Sequence, residues 1–364
     1  MATRGKSRKR IFRKRIIAIA ALTLALLLLA WAAGYPHFVE RYYTDGFYRA
    51  VCFIFHPVFN LFPFSVGDIV YIAAIVYLLY ATVKLLGHLF HRRWTNAGML
   101  LLGVVAGVEA AMLAFYLFWG MNYYRPPASE VLNLRDTNYT TADLRNVTAM
   151  LIDSANACRQ RITAADLDRH NRSIYNIAVT AVKQLPDSSG AFKTYHPDVK
   201  SSLITPVLNY LGTSGYYNPF TAESQMNYEM PVFLRPFVAC HELSHQMGFA
   251  PEDEANFVGF IAAIHSKDRL TRYSAYYEGV QEFMFTLRHQ DSLARKELRK
   301  KISPQVLNDF KTERLYWLSY EGKVERLSSI FYDNFLKVNN QPYGLKTYNR
   351  MVLLILAYRK KNSL

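Results

Sequence analysis

Cysteine is scarce: Cys52, Cys158 and Cys240 are the only three in 364 residues. So few thiols exclude a disulfide framework and leave room for a single bridge at most, Cys158 to Cys240. Acidic side chains are scarce at the N-terminal end. Residues 1–121 carry 4 of the 28 Asp/Glu but 13 of the 43 Lys/Arg, a net of +9 out of the formal +15. The remaining +6 is spread over 243 residues, too thin a charge for a nucleic-acid surface, so no nucleic-acid partner is expected. Internal repeats and low-complexity tracts are absent as well, which excludes a stacked-repeat architecture.

What the N-terminal end has instead is long apolar runs. Ile16 to Ala33 is uninterrupted, and further runs extend from Asp68 to about Phe90 and from Ala97 to Trp119. At about 1.5 Å per helical residue each can cross a hydrocarbon core of about 30 Å. A cleaved signal peptide would end in small residues. The bulky ending at Trp31 and Tyr35 favours a retained anchor. Arg4, Lys6, Arg8, Lys9, Arg10, Arg13, Lys14 and Arg15 precede the first run, and His91, Arg92 and Arg93 separate the second from the third. The positive-inside rule then puts both basic segments in the cytoplasm. The expected layout is a basic cytoplasmic tail (1–15), a membrane region of three transmembrane helices (16–121) and a domain outside the cytoplasm (122–364). In a bacterial cell this is a multi-pass protein of the inner membrane with its domain on the periplasmic side, in contact with lipid.

Residues 47–64, rich in Phe and broken by Pro57 and Pro63, read as an interfacial or re-entrant piece. Glu109, in the middle of the third run, is either functional or bonded to a neighbouring span. Arg125, Pro126 and Pro127 read as a linker. Beyond them the pattern is helical. Leu144, Val147, Leu151, Ala155 and Cys158 mark a helix from near Thr141 with Cys158 toward the core. Val280, Phe283, Met284 and Leu287 mark a second, Leu327, Ile330, Phe331 and Phe335 a third, and Met351 to Tyr358 a packed C-terminal helix.

His241, Glu242, Leu243, Ser244 and His245 carry the chemistry. On a helix, His241 and His245 lie one turn apart on one face and can reach a single zinc ion. Glu242 then stands beside the ion's open position, where a bound water becomes hydroxide at neutral pH. Pro236 suits a first helical turn and Gly248 a helix stop. A third ligand is needed, and Glu252 and Glu254 in a second helix starting at Pro251 can supply it. Glu252 and Asn256 share a face, whereas Glu254 is about 200° round from Glu252. Thr221 to Tyr228 is a polar extended stretch just before this helix, with Glu223 either an amine-binding group or an exposed carboxylate. Oxyanion-donor candidates are Tyr216, Tyr217, Tyr228, Tyr273, Tyr276 and His265; His196 and His289 read as surface histidines.

The pairing of His-Glu-x-x-His with Glu252, Ala255 and Asn256 resembles the zincin metallopeptidases of the glutamate-ligand type. That resemblance implies Glu252 as the third zinc ligand, Asn256 as the group that orients a ligand histidine, and an edge strand over Thr221 to Tyr228. It departs in its short spacer, six residues between His245 and Glu252. The whole chain, through Asn218 to Thr221, Glu223, Asn227 and Glu252 to Phe257, is similar to an uncharacterised family of bacterial membrane proteins with three N-terminal spans and this motif. The resulting expectation is a mainly α protein, transmembrane helices followed by a zincin-like, helix-rich α+β domain. It is a zinc metallopeptidase acting on a peptide or protein with Glu242 as general base, its oligomeric state open. A catalytically inactive scaffold with a structural or vestigial metal site is the alternative, and a transporter using Glu109 ranks behind both.

Overall fold

A computed structural model describes residues 2–134, 138–185, 190–342 and 350–361, with side chains from residue 8. The side chains of Arg4 and Lys6 lie outside the described residues. The fold is mainly helical. Helix α1 (Ala2–Ala33) is followed by α2 (Pro36–Phe38), a π-helical stretch (Val39–Tyr48) and α3 (Arg49–Asn60). Next come α4 (Val66–Phe90) and α5 (Trp94–Phe118). Ser65 starts α4 by accepting the Asp68 amide, and the chain reverses before α5 at Arg92, φ 55°. Three helices, α1 from Arg8, α4 and α5, are long and apolar enough to cross a membrane. The α1 helix packs along α5, where Arg15 donates to the Met99 carbonyl and Thr23 donates to Glu109 at 2.9 Å. Glu109 therefore has the hydrogen bond to a neighbouring helix that its position demands.

The remaining chain runs α6 (Ala128–Val131), α7 (Thr141–Gln160), α8 (Ala164–Leu167), α9 (Asn171–Lys183), β1 (Val199–Ser201), α10 (Thr205–Leu211), β2 (Gly215–Asn218) and β3 (Glu223–Met226). It ends with α11 (Arg235–Gln246), α12 (Glu252–Ile264), α13 (Arg269–Gln290), α14 (Ser292–Arg299), α15 (Pro304–Leu318), α16 (Lys323–Val338) and α17 (Arg350–Lys361). Thr140 and Asp143 close a capping box at the start of α7, and Cys158 is buried on its core face. Leu144 and Leu151 of α7, Phe257 and Phe260 of α12, and Tyr273 and Phe283 of α13 are fully buried in the main core. Met351 and Ile355 of α17 join them. All three cysteines are free and buried, so Cys158 and Cys240 do not pair.

Four expectations need correction. Residues 47–64 are not broken at Pro57, which lies inside α3. Their α3 portion buries Val51, Cys52 and His56, and His56 pairs with the Tyr195 carbonyl. Arg125 is not in a free linker; it is buried, paired to Glu40 at 2.7 Å. The helix marked by Leu327, Ile330 and Phe331 exists, but those three side chains are exposed, because only its other face meets the protein. Finally, β3 is not an edge strand. The sheet order is β1-β3-β2, with Val199 opposite Ser224 in parallel and Gly215 opposite Met226 antiparallel. Glu223 is accordingly neither exposed nor free: it pairs with buried Lys200 and accepts the Gly67 amide at 2.6 Å.

Candidate metal centre

The α11 helix is buried over nearly all its length, which for a segment carrying two His, a Glu, a Ser and a Gln requires partners throughout. Its first turn contains Pro236, whose missing amide proton costs nothing there. Its end is fixed by Gly248 at φ +88°, a left-handed conformation that suits glycine, with the Gly248 amide bonded to the His245 carbonyl at 3.0 Å. A helix C-terminus leaves carbonyls without intrahelical donors. Here segments flanking the long apolar helices supply them. Tyr48 donates to the His245 and Gln246 carbonyls (3.2 and 3.1 Å), Trp119 Nε1 to His245 (3.3 Å) and Arg125 to Gly248 (3.1 Å).

The α12 helix starts at Glu252 directly after Pro251 and packs tightly on α11. At Gly259 the two backbones nearly touch, and a Cβ there would lie 2.8 Å from the His241 amide nitrogen. That approach brings Glu252 to the histidines. Its Oε2 is 3.2 Å from His241 Nε2 and its Oε1 3.8 Å from His245 Nε2. One donor atom from each of His241, His245 and Glu252 lies within 4.8 Å of the others. Glu254 points away and accepts the Ala128 amide at 2.7 Å; burial and the adjacent Asp253 raise its pKa. The structure thus groups Glu252, not Glu254, with the histidines.

The surrounding contacts set the charges. His245 Nδ1 lies 2.7 Å from the Phe249 carbonyl, so that nitrogen carries the proton and Nε2 offers its lone pair. Burial lowers the His245 pKa to about 4. Burial opposes charge on His241 too, but its bond to Glu252 and the neighbouring Glu242 overcome that and raise its pKa. Glu252 is held low despite burial by the same bond and by His245. Glu242 is pushed up to about 8, first by burial and then by Glu252, against the pull of His241. Asn256, one turn after Glu252, also favours the charged form of His241, while the buried His241 Nδ1 has no hydrogen-bond partner.

These groups face a cavity of about 680 Å³, within the size range of ligand sites. Glu242 Oε2 is buried there without a hydrogen bond. Over Glu242 lies β2, the sheet edge, so close that a Cβ on Gly215 would meet Glu242 Oε1 at 2.7 Å. Of the oxyanion candidates, Tyr216 and Tyr217 line the cavity. Tyr216 donates to Asp68, and Tyr217 shares a 3.2 Å bond with Tyr48. Tyr228, Tyr273, Tyr276 and His265 are not among the lining residues; Tyr273 donates to Asp309 and His265 sits on the Ile261 carbonyl. His196 and His289 are exposed. Sequence reasoning missed Tyr332 of α16, which donates to Glu252 Oε1, and Glu278 and Glu313, which also line the cavity. No local signal marks Tyr332, because it lies 80 residues from its partner.

The donor set suits zinc. Two imidazoles and one carboxylate converge, and one imidazole is fixed in the ligating tautomer. Residues 43–356 match a family model described as "Protein of unknown function (DUF3810)". No curated protein and no solved structure matches the chain.

Proposed function

The chain belongs to the DUF3810 family, proteins of unknown function, and from its site we propose a membrane-anchored, zinc-dependent metallopeptidase with a zincin-like domain. The carrying observation is one cavity that holds His241, His245 and Glu252 within 4.8 Å and the unbonded carboxylate oxygen of Glu242 beside them. His241, His245 and Glu252 would hold the ion. Zinc bound there would supply Lewis-acid chemistry, acidifying a water and polarising a carbonyl.

The chain's own residues do the rest. Glu242 takes the proton of the attacking water and passes it to the leaving amine, a role open to its unbonded Oε2. Tyr332 holds Glu252 in place. The edge strand β2 lines the cavity, and an extended peptide added to that edge would present its backbone beside Glu242. A purely structural zinc site closes its fourth position, whereas these donors face open space, which favours hydrolysis over an inert scaffold.

We place the N-terminus in the cytoplasm and the domain on the outer side of the inner membrane, as the basic residues direct. The test compares membranes containing wild type and Glu242→Gln. The variant should keep zinc and lose about 10²- to 10⁴-fold in turnover, so uncut proteins accumulate. Equal cleavage by both would sink the mechanism.

A further inference from the structure

The cavity wall is built partly from the apolar helices themselves. Tyr71 of α4 and Phe115 of α5 line it, beside His241 and Glu252. Tyr71 sits five residues past Val66, about 7.5 Å along the helix, and packs on Tyr216 and Phe220. The Leu203 amide, just before α10, donates to Asp68 in the first turn of α4 at 2.7 Å. At its other end, α16 rests on α5: Phe335 packs on Phe115 with centroids 6.0 Å apart, and Tyr116 donates to Asn339 at 3.3 Å. Glu325, near the start of α16, lies against Gly212 after α10. Helices α4, α10, α16 and α5 therefore form a ring around the mouth of the cavity, tied to the ends of two candidate spans.

The outward face of that ring is apolar. On α16, Leu327, Ile330 and Phe331 are 66%, 55% and 74% exposed, and Phe331 also lines the cavity. On α10, Val207 and Tyr210 are half exposed, as is Leu203 before it. The inward face of α16 is occupied differently, by Tyr332 on Glu252 and by Phe335 and buried Leu336. A contiguous apolar rim marks a contact surface. The contacts that tie the rim to the candidate spans name its partner, since α4 continues from them with exposed Ile69, Val70 and Ile72. The exposed side of α16 also carries Lys323 and Arg326, the basic residues that accompany apolar ones on helices lying in a bilayer interface.

We propose that the rim formed by α10 and α16 sits in the bilayer interface. The cavity then takes a juxtamembrane segment of a membrane-anchored protein, cut close to its anchor. The substrate clause rests on the hydrolase reading; the rim placement does not.

Two measurements on the full chain test it. Spin labels are attached at Leu327→Cys, Phe331→Cys and Val207→Cys, with Lys296→Cys on exposed α14 as the aqueous control. The protein is reconstituted in phosphatidylethanolamine–phosphatidylglycerol vesicles. Collisions with oxygen should exceed those with a water-soluble nickel chelate severalfold at the three rim sites, and the order should reverse at 296. Aqueous behaviour at 327 and 331 overturns the placement. So does shielding from both colliders, the mark of a second protein copy.

The second measurement maps new N-termini that depend on Glu242. Clustering beside hydrophobic anchors supports the substrate class, and scatter through soluble domains overturns it. Finding none sinks the hydrolase reading and the substrate clause together, while the labels still decide the rim.

Discussion

The α11–α12 pair and the long helices α1, α4 and α5 invert the usual relation between polarity and burial. The α11–α12 pair carries His241, Glu242, Ser244, His245, Gln246, Glu252, Asp253, Glu254 and Asn256, all buried. Beyond the basic first half of α1, the long helices are apolar almost throughout and mostly exposed. Apolar composition therefore says which solvent a helix suits, not how deep it lies. A polar residue stays buried only where a partner meets it, so a buried polar helix marks the place where partners were assembled for a purpose. The α3 helix stands between these extremes, with His56 buried on one face and Phe53, Ile54 and Val58 exposed on the other.

Removing a partner from the buried pair should have the largest effect. His241→Ala and Glu252→Ala should each abolish stoichiometric zinc in purified protein, whereas Glu254→Ala should keep it; elemental analysis of the three variants reads this directly. Zinc retained in His241→Ala would break the ligand assignment.

Next is the contact that lets α12 approach α11. Gly259→Ala must push the helices apart at the His241 backbone, at a cost of up to about 3 kcal/mol. Thermal unfolding in detergent should show a lowered midpoint, and zinc affinity should fall with it. An unchanged midpoint would mean the helix pair is not tightly packed there.

The α3 helix gives a pH-dependent intermediate case. Burial lowers the His56 pKa to about 4, below its ordinary 6.5, so the unfolded state binds the proton first as pH falls. Stability from His56 is thus complete above pH 6.5 and is lost as pH drops from 6.5 toward 4, on the order of 2 kcal/mol by pH 5. Unfolding of wild type and His56→Gln at pH 7 and pH 5 should show a smaller acid loss in the variant. Identical losses would assign the acid sensitivity elsewhere.

The smallest effect belongs to the exposed apolar helices. Leu79→Ala on α4 removes an exposed side chain and should change stability by less than about 0.5 kcal/mol in detergent. A loss comparable to that of Gly259→Ala would mean this face packs against protein.

The parts legible in the sequence were those with local causes. Pro236 and Gly248 bracket α11, Pro251 starts α12, and the runs of α1, α4 and α5 declare themselves by length. Helical period put Glu252 and Glu254 on different faces, and the resemblance to zincins picked Glu252 as the ligand. Contacts across long sequence separations were not legible. Tyr332 meets Glu252 and Tyr48 meets His245 from far along the chain. The central position of β3 depends on β1 and β2 flanking it, and Arg125 is buried only because Glu40 and Gly248 receive it. The stripe of Leu327, Ile330 and Phe331 revealed a helix but not which medium it faces.

The donors from Tyr48, Trp119 and Arg125 to the end of α11 carry a practical consequence. A fragment cut at residue 122 would fold with the histidine helix short of two of its three outside donors, so it is a poor surrogate for the whole chain. Trimming away the long apolar helices would therefore change how the end of α11 is held. By the same dependence, a descendant gene could not shed those helices and keep α11 as it stands unless other residues replaced the donors.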